Sequence, residues 1–170
     1  TVQGVRSMTK GMIAFLGVLA LVAGAGLASP SPGAEPPAPV AGDGKPEEVV
    51  RTYLGAVQSG DFAKAFEQLT PHMTRGQAKE AWILEQTAVM KLGEVEISSF
   101  EVFPGRAEGP DRVRVPNLLR SKDKFINQTG ADEHELYTVV RGEDGRWRID
   151  LQELVETDNV SKWFPPGTGK

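Results

Sequence analysis

Residues 135–154 read ELYTVVRGEDGRWRIDLQEL, and this stretch decides the fold. Two runs rich in β-branched and aromatic residues flank Gly142-Glu143-Asp144-Gly145. In the second run Trp147, Ile149 and Leu151 alternate with Arg146, Arg148 and Asp150. Period-two alternation on either side of a glycine-bounded turn specifies a β-hairpin with one buried and one wet face. The pattern predicts Trp147, Ile149 and Leu151 inside, and Arg146, Arg148 and Asp150 outside.

Working back, the period stays at two as far as Glu94. Val95 and Ile97 share one phase and Phe100 and Val102 the other, with Ser98-Ser99 between them, so a bulge is expected in that strand. Pro104-Gly105 to Gly109-Pro110 reads as a turn leading to the alternating strand Arg112-Val113-Arg114-Val115, which Pro116 ends or places at an edge. Residues 117–132 are polar, basic and poor in pattern, and read as a long hairpin arm with frayed ends. Beyond the hairpin, Trp163-Phe164-Pro165-Pro166 reads as a strap over the core, with an exposed anchor as the alternative.

Before residue 94 the period is helical. Pro46 suits a first helical turn, and Glu47 and Glu48 oppose the positive end of the helix dipole. Val49, Val50, Tyr53, Leu54 and Val57 make one apolar face, and Gly60 closes the helix. Asp61 caps a short second helix with Phe62, Ala65, Phe66 and Leu69 inside. Thr74-x-x-Gln77 has the form of a capping box and predicts a third helix through about Leu92. Its stripe would be Ala81, Trp82, Leu84, Ala88, Val89 and Leu92.

The N-terminal part is of another kind. Residues 11–28 are an unbroken apolar run behind Arg6 and Lys10, which predicts export. It is either a signal peptide cleaved after Gly26-Leu27-Ala28 or an uncleaved membrane anchor. The decay into Gly24-Ala25-Gly26 favours cleavage. Residues 29–45 form a Pro/Gly/Ala-rich linker, residues 46–157 the folded domain and residues 158–170 a tail.

The chain of 170 residues has no cysteine, which excludes disulfides, thiolate metal sites and a cysteine nucleophile. Setting aside the two positive charges of the first 28 residues leaves −6 of the formal −4 on the remainder. An acidic body of this kind speaks against nucleic acid as a partner.

Two helices joined by Gln58-Ser59-Gly60-Asp61-Phe62-Ala63-Lys64-Ala65, a longer helix, and a meander ending in Gly142 to Ile149 together resemble the NTF2-like, or cystatin-like, superfamily, in particular its small exported bacterial members. The resemblance covers about residues 46–154. It implies an α+β fold: three N-terminal helices packed on a curved antiparallel sheet of about four strands, forming a cone whose mouth can hold a small ligand. It does not fix an activity, because the scaffold hosts isomerases, hydratases, transport factors and adaptors.

Within that cone Tyr53, Phe66, Trp82 and Trp147 are expected to line a site for a small apolar ligand. An acid–tyrosine pair of the isomerase kind would have to use Tyr53 or Tyr137, the only tyrosines, while Glu94, Glu96 and Asp150 fall on outward phases. His72 and His134 stand in different elements, so neither a metal site nor a cofactor is expected. Asn127-Gln128-Thr129 and Asn159-Val160-Ser161 have the glycosylation form, which is common by chance. Arg112, Arg114, Arg146 and Arg148 are expected on the outer face of the sheet, where arginines can grip carboxylates or phosphates of an acidic protein, an envelope polymer or a second copy in a homodimer. The competing view is a solvated face balanced by nearby acids. The sequence thus points to an exported, non-catalytic binding or interaction module.

Overall fold

The structure, a computed structural model, describes residues 44–168; the predicted export segment and most of the linker lie outside the described residues. Pro46 opens α1 (Pro46–Ser59), and Gly60 closes it at φ 76°. Val49, Val50, Tyr53, Leu54 and Val57 are buried as expected. Glu47 serves more than the dipole, because its Oε1 accepts the Gly105 amide at 2.7 Å and ties the start of the helix to the sheet. Asp61 caps α2 (Phe62–Phe66), accepting from the Lys64 amide at 3.1 Å.

The third helix differs from its prediction. α3 (Lys79–Gly93) begins five residues after Thr74 and has no side-chain cap. Arg75 and Gly76 both take positive φ, a conformation that cannot continue into a right-handed helix, so the expected capping box does not form. Gln77 instead donates to Glu85 at 2.6 Å. The buried positions of α3 are Trp82, Gln86 and Gly93, with Ile83 and Met90 against the core, whereas Leu84 and Leu92 are exposed.

The sheet is antiparallel, in the order β1–β3–β4–β5, with β2 also on β3. Its strands are β1 (Glu96–Val102), β2 (Arg106–Gly109), β3 (Arg112–Lys122), β4 (Asp132–Arg141) and β5 (Trp147–Leu154). The predicted bulge lies between Ile97 and Ser99. It brings Ile97, Phe100 and Val102 onto the same core. The segment after Pro104 is not a simple turn, since β2 continues the edge strand along β3. Nor does Pro116 end β3, an inner strand. The Pro116 carbonyl accepts from the Phe103 amide at 2.9 Å, so its nitrogen faces the break between β1 and β2, where no ladder bond is lost.

Residues 117–132 are likewise better ordered than their composition suggested. β3 runs to Lys122 and β4 starts at Asp132. Asp123 organises the loop between them by accepting the amides of Phe125, Ile126 and Asn127 at 2.6, 2.8 and 3.0 Å. The Asn127 side chain is held by Ser121 O at 2.7 Å and by the Ala131 amide at 2.7 Å, so it is a structural group rather than a glycan acceptor.

α1 lies across β1, β3, β4 and β5, with α2 and α3 stacked beside it. This is an α+β arrangement of helices packed on an antiparallel sheet, built on five strands where about four were expected. Both sheet margins are covered in part. On the β5 side, the Thr70 amide donates to Ile149 O at 2.9 Å and the Ile149 amide to Gln68 O at 2.8 Å. On the β1 side, Gln58 reaches Ile97 O at 3.0 Å and Arg51 reaches Val102 O at 3.3 Å. After β5 comes a 3-10 turn (Thr157–Asn159), then α4 (Val160–Trp163), and Phe164 is buried over the sheet as a strap.

Candidate functional site

The core carries a polar cluster on β4, and β-pairing explains it. β4 presents Glu133, Glu135, Tyr137 and Val139 on one face, and Tyr137 and Val139 belong to the core. Glu135 is paired with Asn117 on β3, and Tyr137 is paired with Gln152 on β5. Gln152 reaches this face because the register shifts between Thr138 and Val139, leaving Asp150 as the extra residue of β5. Beyond the bulge the phase inverts. Leu151, expected inward, takes the outer phase, and Gln152 replaces it inside.

The four side chains form one network. Asn117 Nδ2 and the Tyr137 hydroxyl donate to Glu135 Oε2 at 2.8 and 2.9 Å, and Gln152 Nε2 donates to Oε1 at 2.7 Å. Burial pushes the Glu135 carboxyl above its ordinary range, and the three hydrogen bonds oppose that push. The Tyr137 hydroxyl is pushed up by burial and by Glu135, and Tyr53 is raised by the same two causes in the same order. Tyr53 packs edge-on to Tyr137 with ring centroids 6.2 Å apart, and neither its hydroxyl nor Asn117 Oδ1 has a hydrogen-bond partner among the described residues.

A narrow throat leads to this network. It is lined by Val57, Val89, Met90, Ile97 and Leu119, with Ser121, Glu133, Glu135 and Gln152 as its polar groups, and holds about 30 Å³. That is room for one or two water-sized groups. The Glu133 carboxyl is pushed up to about 7 by partial burial, by Glu135 and by Asp123, with no hydrogen bond acting on it.

The four residues expected to line the cone are not gathered round one cavity. Tyr53 is fully buried, and Trp82 is packed edge-on between Phe62 and Phe66 at 6.5 and 5.6 Å. Phe66 borders an open cleft of about 590 Å³ between the α2–α3 connection and the β4–β5 hairpin, shared with Leu69, Pro71, Val140 and Arg148. Trp147 borders a shallow recess with Glu48 and Thr52 of α1. The cleft has the volume of a ligand site; two of its polar groups are engaged, Thr70 donating to Asp150 at 2.8 Å and Arg148 pairing with Asp144 at 3.0 Å, while Gln77 Oε1 has no hydrogen-bond partner among the described residues. The throat is smaller, and of its two carboxyls Glu133 has no hydrogen bond or ion pair among the described residues.

Three of the four arginines share the outer face of the sheet. Arg112 and Arg148 flank Val140 in one row of the sheet, and Arg114 lies two residues along β3. Arg146 instead borders the recess against α1. Arg112 pairs with Glu108 at 3.1 Å and Arg114 with Glu153 at 2.6 Å, and Arg148 holds Asp144 at a pKa of about 2. The balancing acids are therefore Glu108, Asp144 and Glu153. Glu94 and Glu96 pair with Lys124 and Lys122 instead. Sequence reasoning missed Glu133, Glu135, Asn117 and Gln152. For the two acids the signal was present, since period two from Tyr137 and Val139 places Glu135 and Glu133 inside.

No protein-family model matches the chain, and no curated protein matches it in sequence. Among solved structures it is similar to Bd1075 of Bdellovibrio bacteriovorus, at 13% identity and TM-score 0.45, covering 64% of this chain and 39% of that one. It is also similar to a ketosteroid isomerase-like protein from Erwinia carotovora atroseptica, at 18% identity and TM-score 0.47, covering 65% of this chain and 93% of that one. A third likeness is to a domain of unknown function with a cystatin-like fold from Nostoc punctiforme, at 13% identity and TM-score 0.49, covering 68% and 79%. The chain thus spans 39% of the length of Bd1075. Likenesses at this level concern the path of the chain and carry nothing about activity.

Proposed function

We propose that this domain is a non-catalytic binding module whose ligand enters the throat at the mouth of the cone, and that the inserted group is a small cation such as a primary ammonium with a short apolar stem. The observation that carries this reading is the pair of inward carboxyls, Glu133 and Glu135, in a throat whose other walls are mostly apolar. Each disfavours ionisation of the other, and Glu133 has no hydrogen bond or ion pair among the described residues to offset that. An ammonium between them relieves the repulsion and supplies donors where the free atoms accept, while its stem packs on Val89, Met90 and Ile97.

A second reading, acid–base catalysis at Glu135, has its buried carboxyl and the Tyr137 hydroxyl in its favour. It is weakened by the three donors that already engage Glu135 and by a throat too narrow for a substrate. Catalysed proton exchange on a carbon acid, abolished by Glu135→Gln, would favour it over binding. Export of the domain rests on residues 11–28 and is tested by the mass of the mature protein.

Titration calorimetry with methylamine and ethylamine, whose size matches the throat, tests the ligand. Binding should strengthen as pH rises through about 7, where Glu133 ionises, and should be lost in Glu133→Gln. Equal binding of alkyl carboxylates, or of amines to Glu133→Gln, would refute it.

A further inference from the structure

The opposite face of the sheet carries a different feature. His134, Leu136 and Thr138 of β4 are paired with Leu118, Pro116 and Arg114 of β3, so these residues share the face turned away from α1. The strap lies on it. The Phe164 ring stands edge-on to His134 at 4.7 Å and to Phe103 at 5.5 Å. Trp163 sits under the guanidinium groups of Arg106 and Arg114, at 5.1 and 5.5 Å, and Arg106 donates to Lys162 O. Leu136, in the row between His134 and Thr138, is buried. The slot therefore has two aromatic subsites and one backbone contact.

The strap fills the slot incompletely. Beneath it Arg114 Nε, His134 Nε2 and Thr138 Oγ1 are buried without a hydrogen-bond partner among the described residues. Arginine is always a donor, and an unpaired buried donor is a standing cost that a better-matched occupant removes. The residue of the strap nearest the two arginines besides Trp163 is Lys162, whose ammonium lies 5.4 Å from the Trp163 ring and offers no acceptor.

From this we infer that the slot formed by Phe103, Arg106, Arg114 and His134 is a peptide-recognition site which the C-terminal strap occupies in cis. Its partner in trans is a segment with an aromatic pair followed by proline and with an acidic side chain where the strap has Lys162. The aromatic pair repeats the contacts the strap makes, and the carboxylate supplies the acceptor the strap lacks. Because the cis segment is tethered, it competes at a high local concentration, and a partner must displace it. This surface is independent of the throat.

The test uses the full chain and two fluorescently labelled synthetic peptides, residues 157–168 and the same peptide with Lys162→Glu. In the Phe164→Ala chain the strap loses its main anchor and the slot opens. The peptide should bind this variant at least tenfold more tightly than the wild-type chain, and the Lys162→Glu peptide several-fold more tightly again. Should Phe164→Ala fail to melt cooperatively, Trp163→Ala serves the same comparison, since Trp163 is the less buried anchor. Equal binding of the two peptides would overturn the acidic requirement. No binding to either variant, or equal binding to variant and wild type, would overturn the site.

Discussion

Replacing Glu133 by Gln removes a charge the fold disfavours while keeping the shape of the side chain. Burial, then Glu135, then Asp123 push its carboxyl from 4.5 to about 7. A folded-state value above the unfolded one means that the native chain binds the proton more tightly. The stabilisation is complete below the unfolded value and is lost as pH rises through about 7. At 1.36 kcal/mol per pKa unit the full difference is ~3 kcal/mol, and solvent at this partly exposed carboxyl reduces it to about 1–1.5 kcal/mol. Urea denaturation of both proteins at pH 4.5 and pH 8 measures it. The Gln variant should match wild type within about 0.5 kcal/mol at the lower pH and exceed it by about 1–1.5 kcal/mol at the higher, or by roughly 3–7 °C in Tm. The variant should retain part of the wild-type pH slope, because Glu135 is raised with the same sign. Parallel pH profiles, or a wild type that is the more stable at pH 8, would refute the placement of Glu133 beside Glu135.

Two further outcomes follow from packing and loop geometry. A methyl group at Gly105 would lie 2.6 Å from Val113 Cγ1 and 3.2 Å from Val115 Cγ2, and would disturb the amide that Glu47 accepts. Gly105→Ala should therefore cost about 1–3 kcal/mol in urea denaturation, and a cost below about 0.5 kcal/mol would show that the edge strand yields freely there. Burial alone would raise the Asp123 carboxyl, but the amides of Ile126, Phe125 and Asn127 together lower it. Asp123→Ala leaves those amides without their acceptor, so hydrogen exchange across residues 124–131 should speed up by about tenfold or more while global stability falls by about 1–2 kcal/mol. Unchanged exchange in the loop would contradict the role assigned to Asp123.

The parts of the fold legible in the sequence are those fixed by local chemistry. Pro46, Gly60 and Asp61 mark helix ends through backbone rules that need no tertiary context, and the phase slip at Ser98-Ser99 is visible as a change of alternation. What was illegible depends on partners distant in the chain. Pro116 stands inside β3 only because the neighbouring strand breaks at that row. Leu151 points outward only because Asp150 bulges, and nothing in Trp-Arg-Ile-Asp-Leu-Gln announces an extra residue. The candidate site was missed for a related reason. Glutamate is read as a surface residue by default, and Glu135 is kept inside by three donors from β3, β4 and β5 that only the register brings together.

The covered sheet margins have a consequence for how this chain meets other proteins. An exposed strand edge is a template onto which any extended segment can add, the route to both β-augmentation and fibrils. Here one margin is closed by the Gln68–Thr70 backbone against Ile149, and carbonyls on the other are taken by Gln58 and Arg51. Main-chain zippering, which is indifferent to sequence, is obstructed at these positions, so an added strand would find the ladder interrupted on either side.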